Sequence, residues 1–470
     1  MKYVRNCDRE VRGLPPNGDE EWFPISDRAY CHAIMLKALQ VDEDLLPEFF
    51  PLDHVMDAML GLFTAFLGLR FDRVSGSDLD PAAKWHEDVE IFAVWDCPAE
   101  GEEEADFIGY LYLDLLFRNH KYRNGQTVNL EKGYRKADGS RKYPSTILSC
   151  ALSTPAPGTC KLLKQAELVQ IFHELGHALH DLLTKTEFVR FHGAGSLPVD
   201  ATEIPSMLME NLAWVEDVLA KLSRHYTTLD VKYLDQWRED NPGKPDPPES
   251  IPDELVQALV RSRWLNQSES YYARLITSKF DMRLHSLPWK EGLQPFDVRK
   301  WCRGITLKDV KLKDFNYATC SHLVNGYDVG FFGYLVSAVY AQDIWESEFA
   351  KDPWNRETWN RYRREILQRG SAHPDVLNMI EGYLGRPVRT KPLIGSLLRG
   401  TEISVSSSDE SSDSSDESIS SSDENTDTNI PGVNRKPSTK RRKSSSDSSE
   451  NREMKVADGN EQPSTKRKKE

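Results

Sequence analysis

The stretch KQAELVQIFHELGHALHDLL, residues 164–183, decides how this chain is read. Its apolar residues Leu168, Ile171, Phe172, Leu175, Ala178, Leu179 and Leu182 recur at steps of three and four, which predicts an amphipathic helix with one buried stripe. Helical residues four apart lie one turn above each other, so His173 and His177 share a face and their imidazoles can converge on one ion. Two neutral nitrogens suit Zn²⁺, which takes tetrahedral sets of nitrogen, sulfur and oxygen ligands. Glu174, beside the first histidine, is placed to act as general base on a metal-activated water. The competing explanation is a chance HExxH on a core helix. That would bury three polar side chains without partners, which is costly.

Zinc needs a third protein ligand, with one position left open for water. Downstream, residues 193–214 read GAGSLPVDATEIPSMLMENLAW. Pro205 is tolerated only in a first helical turn, so a helix is predicted to begin near Thr202, with Glu203 at its start. Glu203 is the candidate third ligand. Glu210, two turns on along the same face, and Asp200, just before the helix, are candidates to orient a ligand histidine. For Glu203 alone, a carboxylate stabilised by the helix dipole would be the commoner reading; beside HELGH the reading turns to ligand.

The whole chain of 470 residues frames this site. Hydrophobic residues make up 39% and charged residues 29%, as expected of a globular protein diluted by a polar segment. No apolar run is long enough to span a bilayer, and the first residues lack the apolar stretch of a secretory signal. Seven dispersed cysteines without a CxxC pair read as reduced thiols in the cytoplasm or nucleus. A formal net charge of −14 argues against general nucleic-acid binding.

Residues 1–21 are turn-rich and expected to be irregular. Helical periodicity runs from Asp27 to Leu69, then VEIFAVWD (89–96) and DFIGYLYLDL (106–115) read as paired strands. Asp138-Gly139 marks a turn leading into a further strand. Helical patterns dominate 162–226 and 252–384. The fold class is therefore mainly α with a small β-sheet set just before the HELGH helix. From residue 400 to 470 almost nothing can be buried, so a disordered Ser/Asp/Glu-rich tail is expected. Its two basic clusters, KPSTKRRK and QPSTKRKK, suit a nuclear-import receptor, and its Ser-Asp-Glu runs an acid-directed kinase.

Beyond these readings, the HELGH helix and the 193–214 block resemble the thimet oligopeptidase and neurolysin family of zinc oligopeptidases. So do AKWHEDVEIF (83–92), GYLYLDLLFRNHKY (109–122), ADGSRKY (137–143), HLVNGYDVGFFGYLVSAVYAQDIW (322–345) and GYLGRPV (382–388). The resemblance covers residues 22–399 and implies a zincin-like HExxH catalytic domain, the C-terminal half of the family fold. It implies a metalloendopeptidase holding one Zn²⁺ on His173, His177 and Glu203 and cleaving short peptides, with Glu174 as general base. It assigns Tyr334 to the oxyanion and His322 to substrate positioning, and places Ala151, Gly326, Tyr327 and Phe331 among the substrate-binding positions. Phe331 stands where the family has a second tyrosine, and loss of one oxyanion donor typically costs about 10²–10³ in kcat. The strand over 147–152 is expected to be the edge that pairs with the peptide backbone, with Ala151-Leu152 replacing the family's Asn-Phe. The chain begins near the family's midpoint, which leaves the opposite channel wall unmatched and two explanations open, an incomplete gene model or a truncated product. The alternative function is a catalytically weak zinc-binding module whose tail recruits partners.

Overall fold

The structure, a computed structural model, describes residues 28–76, 80–97, 105–156, 158–286 and 320–402. The segment 1–21, and the tail with both basic clusters beyond residue 402, lie outside the described residues.

Helix α1 (Arg28–Ala38) precedes α2 (Leu52–Leu67), which buries Val55, Met59, Phe63 and Leu67 completely. Gly68 ends α2 in the left-handed region, φ 63, and turns the chain into a sheet. The strands are β1 (Leu69–Arg73), β2 (Glu90–Asp96), β3 (Asp106–Leu116), β4 (Gln126–Glu131) and, after a small hairpin of β5 (Tyr134–Arg135) and β6 (Arg141–Lys142), β7 (Ser145–Leu152). Their order is β1-β2-β3-β7-β4, with β7 parallel to β3 and antiparallel to β4. The predicted pairing of 89–96 with 106–115 is the antiparallel β2–β3 ladder. Asp138-Gly139 makes the β5–β6 turn, where Gly139 has φ 84.

One expectation is corrected here. The strand over 147–152 is not an edge: β7 lies between β3 and β4, and among the described residues β4 is the edge on that side of the sheet. The reason is burial. Leu148, Cys150 and Leu152 of β7 are buried, as an interior strand requires, whereas QTVNLE of β4 leaves Val128 43% and Leu130 46% exposed.

Helix α3 (Gln165–Leu183) is the HELGH helix and packs on β7, β4 and β3. All seven residues of its apolar stripe are buried, and each stabilises the fold by up to about 1.5–3 kcal/mol for the larger side chains. Phe172 meets Phe63 of α2 edge-on at 6.3 Å. At the start of α3 the Lys164 N–H donates to Glu167 Oε2 at 2.9 Å, satisfying a donor no helical carbonyl reaches.

The rest is helical: α4 (Ile204–Glu210), α5 (Glu216–Leu222), α6 (Val231–Asp240), α7 (Asp253–Ser262), α8 (Gln267–Ser286), α9 (Gly333–Ile344), α10 (Arg356–Glu365), α11 (Val376–Leu384) and α12 (Lys391–Glu402). The chain is thus mainly helical with a small mixed sheet. Among the described residues no helix is long and apolar enough to cross a membrane.

One close approach positions the site. A Cβ at Gly176 of α3 would lie 2.6 Å from the Pro205 carbonyl oxygen and 2.6 Å from Ser206 Cα. Only glycine lets α4 come this near, and the approach carries Glu203, at the head of α4, up to the histidines of α3.

Candidate active site

His173 and His177 lie one turn apart on the exposed side of α3, with ring centroids 5.0 Å apart. Glu203 precedes the first residue of α4, and Pro205 sits in that first turn. Glu203 Oε2 is 3.3 Å from His173 Nε2 and 3.1 Å from His177 Nε2. Burial pushes the Glu203 carboxyl up, but the charge of His177 and hydrogen bonds from both histidines outweigh it, and the group is held well below the carboxylate range. His173 Nδ1 lies 2.7 Å from Glu210 Oε1, so a proton on Nδ1 leaves the Nε2 lone pair facing the cluster.

These three side chains could hold a metal: their ligand atoms all lie within 4.8 Å of one another. A tetrahedral ion with bonds of about 2.0–2.1 Å keeps its ligands roughly 3.3 Å apart. The spacings of 3.1 and 3.3 Å around Glu203 Oε2 match that requirement. Two imidazole nitrogens and one carboxylate oxygen fit zinc in donor type as well as in distance.

The cluster opens on a cleft of about 570 Å³. One wall is α3 with Glu203; the other is β4 with the preceding loop, including Asn124, Gly125, Thr127 and Asn129. Glu174 is buried and lines the cleft beside the donors. The Thr127 hydroxyl lies 2.9 Å from Glu174 Oε2 and 2.8 Å from its carbonyl oxygen. Gly125 clears the same space: a Cβ there would be 2.9 Å from Glu174 Oε1.

His322 and Tyr327 line the cleft from the segment leading into α9, and Tyr334 lines it from the first turn of that helix. The Tyr327 hydroxyl donates to Glu203 Oε1 at 2.6 Å, and its ring stacks on Tyr334 at 5.1 Å. Burial, reinforced by the Glu203 charge, raises both phenols, so both stay protonated donors near neutral pH. Buried Asp281 of α8 fixes this segment by accepting from the backbone N–H groups of Val329 (3.0 Å) and Phe331 (3.1 Å).

The candidate residues are not all gathered. His173, Glu174, His177, Glu203, His322, Tyr327 and Tyr334 converge on the cleft, with Glu210 behind His173. Ala151, Gly326 and Phe331 are not among its lining residues. Phe331 instead packs its ring on His322 and Tyr334, at 6.0 and 5.5 Å. Asp200 meets α9 through its carbonyl oxygen, which accepts from Ser337 Oγ at 2.8 Å. Sequence reasoning missed Thr127, Gly125 and Asp181. Asp181 also lines the cleft and anchors the 193–195 turn by accepting from the Ala194 N–H at 2.9 Å. The alternation of Thr127 and Asn129 with Val128 and Leu130 was the available signal for β4.

The chain is similar in sequence to several oligopeptidases. Saccharolysin of Saccharomyces cerevisiae is 30% identical over 80% of this chain and 50% of its own length. The thimet-like oligopeptidase of Dictyostelium discoideum is 30% identical over 80% of this chain and 52% of its own. Oligopeptidase A of Escherichia coli is 28% identical over 73% of this chain and 46% of its own. The chain thus spans about half the length of the curated relatives it matches. Residues 18–397 match the model of peptidase family M3, and the chain belongs to that family.

Proposed function

We propose that this chain is a zincin-like, zinc-dependent metalloendopeptidase that hydrolyses peptide bonds in short oligopeptides. The observation that carries the reading is the placing of Glu174 beside, rather than within, the three-donor cluster, with Thr127 holding its carboxylate at the cleft. His173, His177 and Glu203 would hold the ion, and zinc bound there supplies a Lewis acid and lowers the pKa of water towards neutrality.

The chain's own groups then have distinct tasks. Glu174 takes the proton from the attacking water and passes it to the departing amine nitrogen as the C–N bond breaks. Tyr327 is committed to Glu203 Oε1 and steadies that ligand. Tyr334 supplies the phenolic O–H that donates to the scissile carbonyl oxygen as negative charge grows there. With Phe331 carrying no hydroxyl, Tyr334 bears this role together with the substrate-positioning His322. The outer edge of β4, unpaired among the described residues, takes the peptide backbone as an added strand, which gives sequence-tolerant binding. Exposed Val128 and Leu130 lie on that strand and offer apolar contact to alternate side chains.

The test is bound metal and cleavage of a quenched fluorescent peptide by the full chain beside Glu174→Gln. One zinc per chain in both, with cleavage in the first and a loss of about 10²–10⁴ in the second, is the expected result. Zinc in both proteins without turnover in either overturns the catalytic reading and leaves the zinc-binding module.

A further inference from the structure

A second cavity, of about 120 Å³, touches the site from another direction. It shares no lining residue with the cleft, yet Glu210, which holds His173, lines it. Besides Glu210 the cavity is lined by Arg263 and Arg274 and by Trp214, Trp264 and Gln267, all of them residues with side-chain N–H donors.

The charge there is unbalanced. Among the described residues neither arginine forms an ion pair with a carboxylate. Arg263 donates to the neutral side-chain oxygen of Asn211 and lies over the Trp264 ring at 4.7 Å. Arg274 lies over the Tyr271 ring at 5.2 Å and makes no side-chain hydrogen bond among the described residues. A guanidinium carries five N–H donors, so most of this donor capacity is unspent. The nearby acid, Glu210, is engaged by His173 Nδ1. Burial pulls the Arg263 guanidinium down to about 10, so it remains a cation at neutral pH. Glu346, the other carboxylate whose charge reaches Arg263, is paired with Arg399 at 3.5 Å. Two cations against one shared carboxylate therefore leave a net positive charge in a partly enclosed space, which is costly without a counter-ion.

We propose that this cavity binds a small monovalent anion, of carboxylate or halide chemistry, between Arg263 and Arg274. The net charge fixes the valence, and the volume fixes the size: with about 30 Å³ per water, it holds one such ion with a little solvent. With the anion in place the arginines are compensated, and Glu210 stays free to orient His173. Two sources share this chemistry, an ion from solvent and the terminal carboxylate of a peptide held in the cleft. Only the second rests on the peptidase reading.

The first arm needs no catalysis. Chloride line broadening by NMR is measured on the full chain, with acetate as competitor and ionic strength held with sulfate. Saturable broadening relieved by acetate is expected, with affinity weakened about tenfold or more in Arg263→Gln and Arg274→Gln, as loss of a charged hydrogen-bond partner requires. Arg263→Gln also loses the bond to Asn211. Arg274→Gln has none to lose and, with its circular dichroism unchanged, is the decisive variant. Absence of saturable broadening, or broadening unchanged in Arg274→Gln, overturns the proposal. The second arm measures calorimetric binding of a short peptide acid and its C-terminal amide to the Glu174→Gln chain, with and without acetate. Weaker binding of the amide and competition by acetate identify the peptide carboxylate. Equal binding of both forms, with acetate still bound, identifies the solvent ion. No peptide binding fails the peptidase reading and leaves the solvent ion as the occupant.

Discussion

On one side of the cleft Glu203 is 2% exposed with both carboxylate oxygens occupied, while on the other Val128 and Leu130 are 43% and 46% exposed on a strand whose outer edge no described strand pairs. The first wall is held from every direction: Tyr327 and Ser206 bond Glu203, Glu210 bonds His173, and Gly176 sets the distance between α3 and α4. Among the described residues no strand pairs with the outer edge of the second wall. The difference suits what each wall is proposed to bind. An ion of fixed bond length demands donors held to a fraction of an ångström, whereas a peptide of variable sequence is best met by a strand edge whose hydrogen bonds ignore side-chain identity.

The contrast breaks most completely at a donor. His177→Ala removes one of the three proposed ligands, and bound zinc is expected to fall from one per chain to near zero by elemental analysis. Steric substitutions test the two walls against each other. Gly176→Ala puts a Cβ 2.6 Å from backbone atoms of Pro205 and Ser206, and overpacking of this kind costs about 1–3 kcal/mol. A lower Tm together with weaker zinc binding is expected. Gly125→Ala instead meets the side-chain ends of Gln170 and Glu174. The Tm should be nearly unchanged while cleavage falls, because flexible ends give way but Glu174 is displaced. Equal losses of stability in the two variants would show that the walls are not built differently.

Smaller effects sharpen the picture. Glu210→Gln weakens the orientation of His173, with zinc affinity lowered about 10–100-fold in a chelator competition. Thr127→Val removes the hydroxyl beside Glu174 Oε2 and should lower kcat roughly fivefold with little change in KM, as loss of one ordinary hydrogen bond predicts. The open wall is anchored from behind by Asp114, which accepts from Arg118 at 2.6 Å and Lys121 at 2.8 Å. Burial raises its carboxyl, but the hydrogen bonds from Arg118, Lys121 and Trp85 prevail and hold it at about 2. A carboxyl depressed on folding contributes stability that is present above its unfolded value near 4 and lost as pH falls through about 2. The stability of the chain should therefore drop between pH 4 and 2, and Asp114→Asn should flatten that part of the profile.

Much of this was open to reading in one dimension. The α3 stripe, the facing histidines, the β2–β3 pair and the helix starting just after Glu203 are consequences of local period and of proline chemistry. They act over a few residues, and the sequence carries them complete. The three candidate metal donors could be picked out because two of them lie on one helical turn and the third at a helix start marked by Pro205.

What the sequence could not determine was every relation between distant segments. Strand order is one: residues 145–152 read as a strand in either position, and only the insertion of β7 between β3 and β4 made residues 126–131 the edge on that side among the described residues. The partner of Glu174 is another, since Thr127 lies 47 positions away in sequence. The meeting of Arg263 and Arg274 with Glu210 is a third. Period and propensity fix what a segment becomes. Which segments touch depends on how apolar faces are buried together across the whole chain, and that was settled only when α3, α4 and the sheet closed on one another.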